Sequence, residues 1–313
     1  MKIRAFSEST VFGVAAPASA PQDLSLIHRG IAFLEGLGIS VIRMVESYEP
    51  SGYLAGSDVD RADELNELLR RDDIEVIVCA RGGYGTLRIL NRIDYDAARA
   101  HAKIIIGYSD ITALQLALYA RSGLHSISGP MVAVEWAQDE YPFDPSVWRL
   151  LNGEIPTPLL GPRGEQLRSV QAGSAEGVLI GGNLSIICKL IGTPYLPDLE
   201  GVILFLEEVS ELPYKVDGLL AQLELSGILG KIAGLVFGEL TPPDSIPDRP
   251  TATYREVIDR YAASVNGPVA VGLCYGHVKS KVSVPIGVRA RLNVGTDARL
   301  DVLESVVATH SDS

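Results

Sequence analysis

A serine that directly follows an apolar run is the first residue whose placement could support chemistry. Ser109 lies in IIIGYSDIT (residues 104–112), between a strand-like run and the helical pattern ITALQLALYA. This is the placement of a nucleophile elbow, although Ile111 replaces the final glycine of G-x-S-x-G. Local sequence alone favours a plainer role, in which Ser109 caps the helix and Asp110 stabilises its N-terminus.

A serine nucleophile needs a general base, because its hydroxyl is weakly nucleophilic at neutral pH. His277 is the best candidate among the five histidines, since it lies in the loop YGH directly after the apolar strand pattern PVAVGLC. An exposed loop histidine without function is an equally good interpretation. His28 and His101 lie in helical patterns, His125 precedes a strand-like run, and His310 is in the C-terminal tail.

Two adjacent acids end a long uncharged segment, VILFLEEV at residues 202–209. An imidazole base needs an acceptor for its second ring nitrogen, and either Glu207 or Glu208 could supply it. An unpaired buried carboxylate is costly, so these acids are expected to be paired or near water. The alternative is a strand that simply emerges into solvent.

A glycine-rich turn, RGGYG at residues 81–85, follows another apolar strand. Glycines let the backbone approach a ligand, and backbone N–H groups at the following helix start can hold an anion. The segment matches neither a P-loop nor G-x-G-x-x-G, and a plain tight turn is equally compatible. Arg81 and Arg88 are candidates for binding a substrate carboxylate, and Arg81 is the better placed of the two. The alternative is that these arginines are solvated at the surface or form structural ion pairs.

The elements that must position these residues alternate along the first half of the chain. Apolar strands at 11–16, 40–45, 74–79 and 103–107 are separated by helical patterns, and Ser57 resembles the N-cap of one helix. Uninterrupted apolar strands separated by helices predict a parallel sheet covered on both faces. Residues 137–170 have little periodicity and are predicted to form a linker with a short helix around 145–151. The later part, ending in a predicted β-meander, is α+β and strand-rich.

Composition narrows the class of protein further. The chain has 313 residues and a net charge of −12, which predicts two domains or one large α/β unit and disfavours nucleic-acid binding. No run approaches a membrane span, and the apolar N-terminal run is too short for a signal peptide. The three cysteines, Cys79, Cys188 and Cys274, show no metal-binding spacing and are expected to be buried thiols in a reducing compartment. A cytoplasmic protein is therefore expected.

The order of these segments resembles the LD-carboxypeptidases of peptidase family S66, which include muramoyl-tetrapeptide carboxypeptidases and microcin C self-immunity proteins. Each motif is modest alone, but their order and spacing from about Gly13 to about Pro285 are specific. The motifs are GVAAPAS (13–19), YLAGSDVDRADELNELL (53–69), CARGGYGTLRIL (79–90), GYSDITAL (107–114), SGPM (128–131), GGNLS…IGTPYLP (181–197), ILFLEEV (203–209) and YGHVKSKVSVPIG (275–287).

The resemblance implies an α/β fold with an N-terminal flavodoxin-like parallel-sheet domain and a smaller strand-rich α+β C-terminal domain. We expect these domains at residues 1–136 and 171–313, joined by the linker 137–170, with the active site between them. The resemblance also implies a catalytic triad of Ser109, Glu207 and His277. The oxyanion hole would be formed by the backbone N–H groups of Asp110 and Gly83.

The implied activity is serine-dependent release of terminal D-Ala from muropeptide tetrapeptides, a step of peptidoglycan recycling, with Arg81 binding the substrate. No metal or organic cofactor, no nucleic acid and no membrane partner is expected, and relatives are commonly homodimers. One departure is Lys281, because relatives usually carry Asn at that position, and it could alter substrate preference.

Two alternative functions stay open at this stage. A peptide–nucleotide hydrolase of the microcin C self-immunity type would be favoured by aromatic side chains at the site, such as Trp136 or Trp148. A two-domain small-molecule binder is the non-enzymatic alternative, although a binder has no need of a nucleophile and a base.

Overall fold

The computed structural model describes residues 6–7, 10–43, 51–138, 145–245 and 252–308. Eight α-helices lie within these residues: α1 (Ser25–Gly36), α2 (Asp58–Arg70), α3 (Tyr95–Ala100), α4 (Thr112–Ser122), α5 (Ser146–Leu151), α6 (Leu184–Leu190), α7 (Pro213–Leu225) and α8 (Tyr254–Ala262). Short 3-10 turns cover Thr86–Arg92 and Ser109–Ile111.

Thirteen strands lie within the same described ranges, and they form two sheets. The strands are β1 (Val11–Ala15), β2 (Ser40–Arg43), β3 (Val76–Cys79), β4 (Ile104–Gly107), β5 (Ser126–Ser128), β6 (Arg168–Gln171), β7 (Gly173–Asn183), β8 (Ile203–Val209), β9 (Gly234–Thr241), β10 (Val269–Val271), β11 (Val284–Ile286), β12 (Arg289–Val294) and β13 (Ala298–Val302).

The first sheet has the order β2-β1-β3-β4-β5, and all of these strands run parallel. This is the flavodoxin-like order, in which ligands bind beyond the carboxyl ends of the strands. The predicted fold class is confirmed for this half. A sixth strand, β11, comes from far along the chain and pairs antiparallel with β5.

Both faces of this sheet are covered, as the uninterrupted apolar strands predict. Val76 and Val78 of β3 pack in the core cluster that includes Leu34 of α1. The alternate residues Ile77 and Cys79 pack on the other face, in the cluster that includes residues of α2 and α4. The sheet therefore separates two apolar layers. Ser57 caps α2 as expected, since its hydroxyl accepts the backbone N–H of Asp60.

The second sheet has the order β13-β12-β7-β8-β9-β10-β6. Its central strands β7 to β10 run parallel, and β6, β12 and β13 are antiparallel additions. The strand-rich α+β half is thus confirmed. The predicted meander at the end of the chain is replaced by the hairpin β12–β13, because β11 joins the first sheet instead.

The segment between the sheets contains α5 at Ser146–Leu151, close to the helix expected there. Residues 139–144 of the predicted linker, and His310, lie outside the described residues. The domain boundaries stay a prediction. Among the described residues, no helix combines the length and apolar character needed to cross a bilayer.

Candidate functional site

Ser109 lies at a sharp backbone turn between β4 and α4. The four residues of β4 are buried, Tyr108 is extended, and Ser109 has a φ of +66°. A non-glycine residue in this left-handed region carries a conformational cost of order 1–2 kcal/mol, so the surrounding structure must hold it there. The helix-cap interpretation does not match, because α4 starts at Thr112 and neither its start nor that of the 3-10 turn has a side-chain cap.

The hydroxyl of Ser109 lies 3.0 Å from Nε2 of His277, within hydrogen-bond distance. His277 follows Gly276, whose φ is +130° and whose Cβ position would lie 3.0 Å from Oε2 of Glu207. Glycine is therefore required at 276 both for its backbone conformation and for the close approach of the acid. The imidazole is about one-fifth exposed, so part of the ring is accessible to solvent.

Glu207 is the hydrogen-bond partner of the other ring nitrogen of this histidine. Its Oε2 lies 2.8 Å from Nδ1 of His277, and its side chain is fully buried. The pairing of β8 with β9 shifts register between Leu206 and Glu208, and such a bulge redirects side chains at the end of a strand. The residues alone left the choice between the two acids open and the resemblance favoured Glu207; in the structure it is Glu207 that contacts the histidine.

Glu208 points into a separate set of hydrogen bonds. Its Oε2 accepts the backbone N–H of Ser185 at 2.8 Å, and its Oε1 accepts from Nδ2 of Asn183 at 3.1 Å. The same amide donates to Oε1 of Glu207 at 3.1 Å. Asn183 therefore links the two acids, while its Oδ1 caps α6 by accepting from Ile186.

Sequence reasoning assigned no role to Asn183. A polar residue at the end of the apolar strand VLIGG, placed at a helix start, was the available signal. A helix cap explains such a residue without any site, so this signal alone does not predict a role at the site.

The glycine-rich loop packs directly against the serine. A Cβ at Gly82 would lie 3.0 Å from Cβ of Ser109, and one at Gly83, whose φ is +105°, would lie 2.6 Å from Oγ of Ser19. The Ser19 hydroxyl in turn accepts the backbone N–H of Tyr84 at 3.1 Å. These contacts place Gly82 against Ser109 and the following Gly83 against Ser19.

Two buried charged side chains tie this loop to its surroundings. Nη1 of Arg61 donates to the carbonyl oxygens of Gly85, at 3.1 Å, and of Pro17. The carboxylate of Asp110 accepts the backbone N–H of Thr86 at 2.9 Å, and burial raises the pKa of this carboxyl although the Thr86 bond opposes the shift. The loop and the elbow are thus connected to each other through Asp110.

The two arginine candidates differ in their surroundings. Arg88 forms an ion pair with Asp58 at 2.9 Å, which matches the structural alternative for that residue. Nη1 of Arg81 donates to the carbonyl of Ala20, whereas its buried Nε has no hydrogen-bond partner within the described residues. A Cβ at Gly83 would lie 3.6 Å from Nη2 of Arg81, so this guanidinium lies next to the loop.

The other candidates from the sequence lie elsewhere. His28 is exposed, His101 pairs with Asp72, and the ring of His125 lies near Tyr119. Trp136 and Trp148 stack on each other with centroids 5.8 Å apart; Trp136 is buried in the apolar core cluster, and Trp148 is half-buried against it. Cys79 and Cys188 are buried, Cys274 is half-buried with its Sγ donating to the carbonyl of Ser280, and none of the three forms a disulfide.

No group of three or more His, Cys, Asp or Glu side chains within the described ranges is arranged to hold a metal ion. Residues 12–129 match the LD-carboxypeptidase N-terminal domain, and residues 176–292 match the LD-carboxypeptidase C-terminal domain. The chain belongs to the LD-carboxypeptidase family, peptidase family S66. The resemblance inferred from the motifs is confirmed.

Individual members of the S66 family cover almost the whole chain. A probable murein peptide carboxypeptidase of Bacillus subtilis is 35% identical over 98% of this chain and 95% of its own length. The microcin C7 self-immunity protein MccF of Escherichia coli is 27% identical over 95% and 93%. The crystal structure of muramoyltetrapeptide carboxypeptidase from Oxalobacter formigenes has a TM-score of 0.81 at 28% identity and covers 94% of this chain and 98% of that one.

Proposed function

We propose that this protein is a serine peptidase that releases the terminal D-Ala from muropeptide tetrapeptides. The observation that carries the proposal is the continuous chain of contacts from Ser109 Oγ to His277 Nε2 and from His277 Nδ1 to Glu207. Nucleophile, base and orienting acid are each within hydrogen-bond distance, as acyl transfer by a serine requires. The relatives named as murein peptide and muramoyltetrapeptide carboxypeptidases support the substrate class.

In the proposed reaction, Ser109 attacks the carbonyl carbon of the L-to-D peptide bond. His277 accepts the hydroxyl proton and then donates it to the departing amine of D-Ala. Glu207 holds the imidazole in the required tautomer and stabilises its charged form. Water, deprotonated by His277, then attacks the acyl-enzyme. As the bond to Ser109 breaks, His277 returns this proton to the serine oxygen, the tripeptide is released and Ser109 is regenerated.

The oxyanion would be stabilised by the backbone N–H groups of Asp110 and Gly83. Asp110 directly follows the nucleophile, and Gly83 directly follows Gly82, which packs against Ser109, while Ser19 packs against Gly83 itself. These donors are backbone groups of segments that are held by the hydrogen bonds of Asp110 and Ser19. They therefore need little reorganisation when negative charge develops on the substrate oxygen.

Arg81 is the proposed partner of the free carboxylate of the substrate. Its guanidinium lies beside the loop, and its buried Nε has a hydrogen bond to offer. The reaction uses no metal or organic cofactor. A cytoplasmic location and a homodimeric assembly remain predictions.

Mass spectrometry of a muropeptide tetrapeptide incubated with the purified protein tests the proposal. We expect loss of one alanine with the wild type and no loss with Ser109→Ala, whose Cβ fits the same turn. Loss of alanine by both proteins would contradict the role of Ser109. Absence of turnover by folded wild type would contradict the substrate.

A second candidate activity is hydrolysis of a peptide–nucleotide antibiotic. It is favoured by the likeness to the microcin C7 self-immunity protein over nearly the whole chain. Trp136 and Trp148 do not support it, since Trp136 is buried in the core cluster and the half-buried Trp148 packs against that cluster, stacked on Trp136. An aminoacyl sulfamoyl nucleoside offered in the same assay separates the two, because only the second activity releases a nucleoside product.

A further inference from the structure

A buried cation lies beneath the proposed triad. Lys281 is 5% exposed, and its Nζ lies 2.7 Å from Oε1 of Glu135. The same Nζ donates to the carbonyl of Gly276 at 3.2 Å and lies 3.6 Å from the ring centroid of Tyr108. Two of these partners, Tyr108 and Gly276, directly precede a proposed catalytic residue, and the third, Glu135, is hydrogen-bonded to Tyr108.

The partners of Lys281 join segments that are far apart in sequence. Tyr108 directly precedes Ser109, and its ring centroid lies 5.1 Å from that of His277. Gly276 directly precedes His277. Lys281 therefore contacts both the backbone of the histidine loop and the Tyr108 ring, which packs against His277.

Both carboxylate oxygens of Glu135 accept hydrogen bonds in addition to the ion pair with Lys281. Its Oε1 also accepts the hydroxyl of Tyr108 at 2.9 Å, and its Oε2 accepts the backbone N–H of Met131 at 3.0 Å. Burial, together with the neighbouring Glu135, raises the pKa of Tyr108 above its ordinary value, so this phenol stays a donor.

A buried ion pair of this kind contributes little net stability, because desolvation offsets most of the attraction. A hydrophobic pair of similar volume would stabilise the fold equally well. Its position under two proposed catalytic residues is therefore better explained by what it does to them.

We propose that Lys281 is a positioning residue that sets both the geometry and the charge state of His277. It fixes the loop through the Gly276 carbonyl, and it cancels the charge of Glu135 that would otherwise act on the imidazole. This inference rests on the proposed function for its kinetic test, and a second readout below is independent of it.

The two charges of the pair predict opposite effects when each is removed alone. Without Lys281, Glu135 still accepts hydrogen bonds from Tyr108 and Met131 and therefore stays charged. Its negative charge then favours the imidazolium form of His277, so the histidine remains protonated up to a higher pH. Without the charge of Glu135, Lys281 keeps the Gly276 carbonyl and the Tyr108 ring, so the imidazolium is disfavoured. Among the described residues, Glu207 and Tyr108 also contact the His277 ring, and Tyr275 and the exposed Lys279 lie on the same loop.

The experiment measures the pH dependence of kcat/KM on the tetrapeptide for four variants. Lys281→Met should move the acidic limb of the kcat/KM profile to higher pH by about 0.5–1 unit, and Glu135→Gln should move this limb to lower pH by about the same amount. The double variant should return the limb close to the wild type but keep a kcat reduced by roughly 10-fold, because the tie to Gly276 is still missing. Lys281→Arg should retain the wild-type limb, since it keeps the charge.

Lys279→Met is the matched control: Lys279 belongs to the same loop but is exposed, so solvent and salt screen its charge and the limb should move much less than in Lys281→Met. Circular dichroism and thermal unfolding establish that each variant is folded. Shifts in the same direction for both single variants, or no shift in either folded variant, would overturn the proposal.

NMR titration of the His277 ring provides the readout that needs no substrate. Its midpoint should move in the same opposite directions in the two single variants. A wild type inactive on the tetrapeptide would count against the proposed substrate alone, whereas unchanged ring titrations would count against the role of Lys281.

Discussion

The carboxyl edges of the two sheets hold their parts of the site by different means. In the first sheet, the backbone fixes Ser109 through its φ of +66° and the close packing of Gly82. In the second sheet, side-chain hydrogen bonds fix Glu207 and His277, with Asn183 donating to the acid. The first arrangement is sensitive to added volume, and the second to altered hydrogen-bonding capacity.

Because of this difference, we expect different kinds of substitution to reduce activity most in the two halves of the site. An isosteric change should be tolerated around the elbow and harmful at the acid. An added methyl group should be harmful at the elbow even though no polar atom changes.

The largest effect is expected for Glu207→Gln, which keeps the shape of the side chain. The amide removes the negative charge that orients the imidazole and stabilises its cation. We expect kcat to fall roughly 10³- to 10⁴-fold with little change in KM. Steady-state kinetics on the tetrapeptide measure this.

Glu208→Gln is the matched control, because it changes the neighbouring buried acid in the same way. Its carboxylate bonds Ser185 and Asn183 rather than His277, so a fall of less than about 10-fold in kcat is expected. Equal losses in the two variants would remove the distinction between the acids.

The next largest effect is expected for Gly82→Ala. The new Cβ would lie 3.0 Å from Cβ of Ser109 and 3.2 Å from its Oγ, so the nucleophile must shift by some tenths of an ångström. We expect kcat to fall roughly 10- to 100-fold, because catalysis is sensitive to such displacements.

Gly36→Ala serves as its control, since no atom lies within 4 Å of the new Cβ position at the end of α1. This variant should keep full activity and gain slight thermal stability. If Gly82→Ala were as active as Gly36→Ala, the backbone would not be what holds Ser109.

A smaller effect is expected for Asn183→Ala, which removes the donor to Oε1 of Glu207. Glu207 keeps His277, so kcat should fall about 10-fold. Loss of the α6 cap should lower stability by about 1 kcal/mol, measured by urea unfolding. Asn266→Ala, which removes an exposed amide bonded to Gly230, should leave kcat unchanged. Equal kcat values in the two variants would show that Asn183 acts on stability alone.

The first sheet was predictable because its signals are local. Continuous apolar runs gave β1, β3 and β4, and Ser57 marked the start of α2, so the parallel order follows from short-range pattern. The position of Ser109 after β4 was likewise visible in the sequence. Its helix-cap interpretation failed because the contact that decides, with His277, spans 168 positions along the chain.

The second half was less predictable because its contacts are distant. The pairing of β11 with β5 joins residues more than 150 positions apart, and no local pattern distinguishes it from a meander. The link from Asn183 to Glu207 and the pair of Lys281 with Glu135 likewise depend on tertiary contacts. The motif order of the family indicated the region of the site but not these supporting bonds.

A final comparison concerns buried acids inside and outside the site. Glu64 of α2 is largely buried in the first half, and burial raises its pKa to about 8, although the N–H of Ala16 opposes the shift. The folded state therefore keeps a proton that the unfolded state releases above its ordinary pKa of 4.5. The contribution of Glu64 to stability is fully present below that value and is lost progressively as the pH rises to about 8.

Glu64→Gln removes this dependence, because the amide does not titrate. The stability of the variant relative to wild type should increase between pH 5 and pH 8 by roughly 1 to a few kcal/mol, with activity unchanged. Urea unfolding at both pH values measures the difference, and Asp63→Asn, at an exposed position of the same helix, is the control that should keep the wild-type slope. A constant difference between Glu64→Gln and wild type would mean that Glu64 is ionised in the folded protein. It would then resemble Glu207 in having a charge stabilised by its neighbours, and the contrast between structural and site carboxylates would not hold.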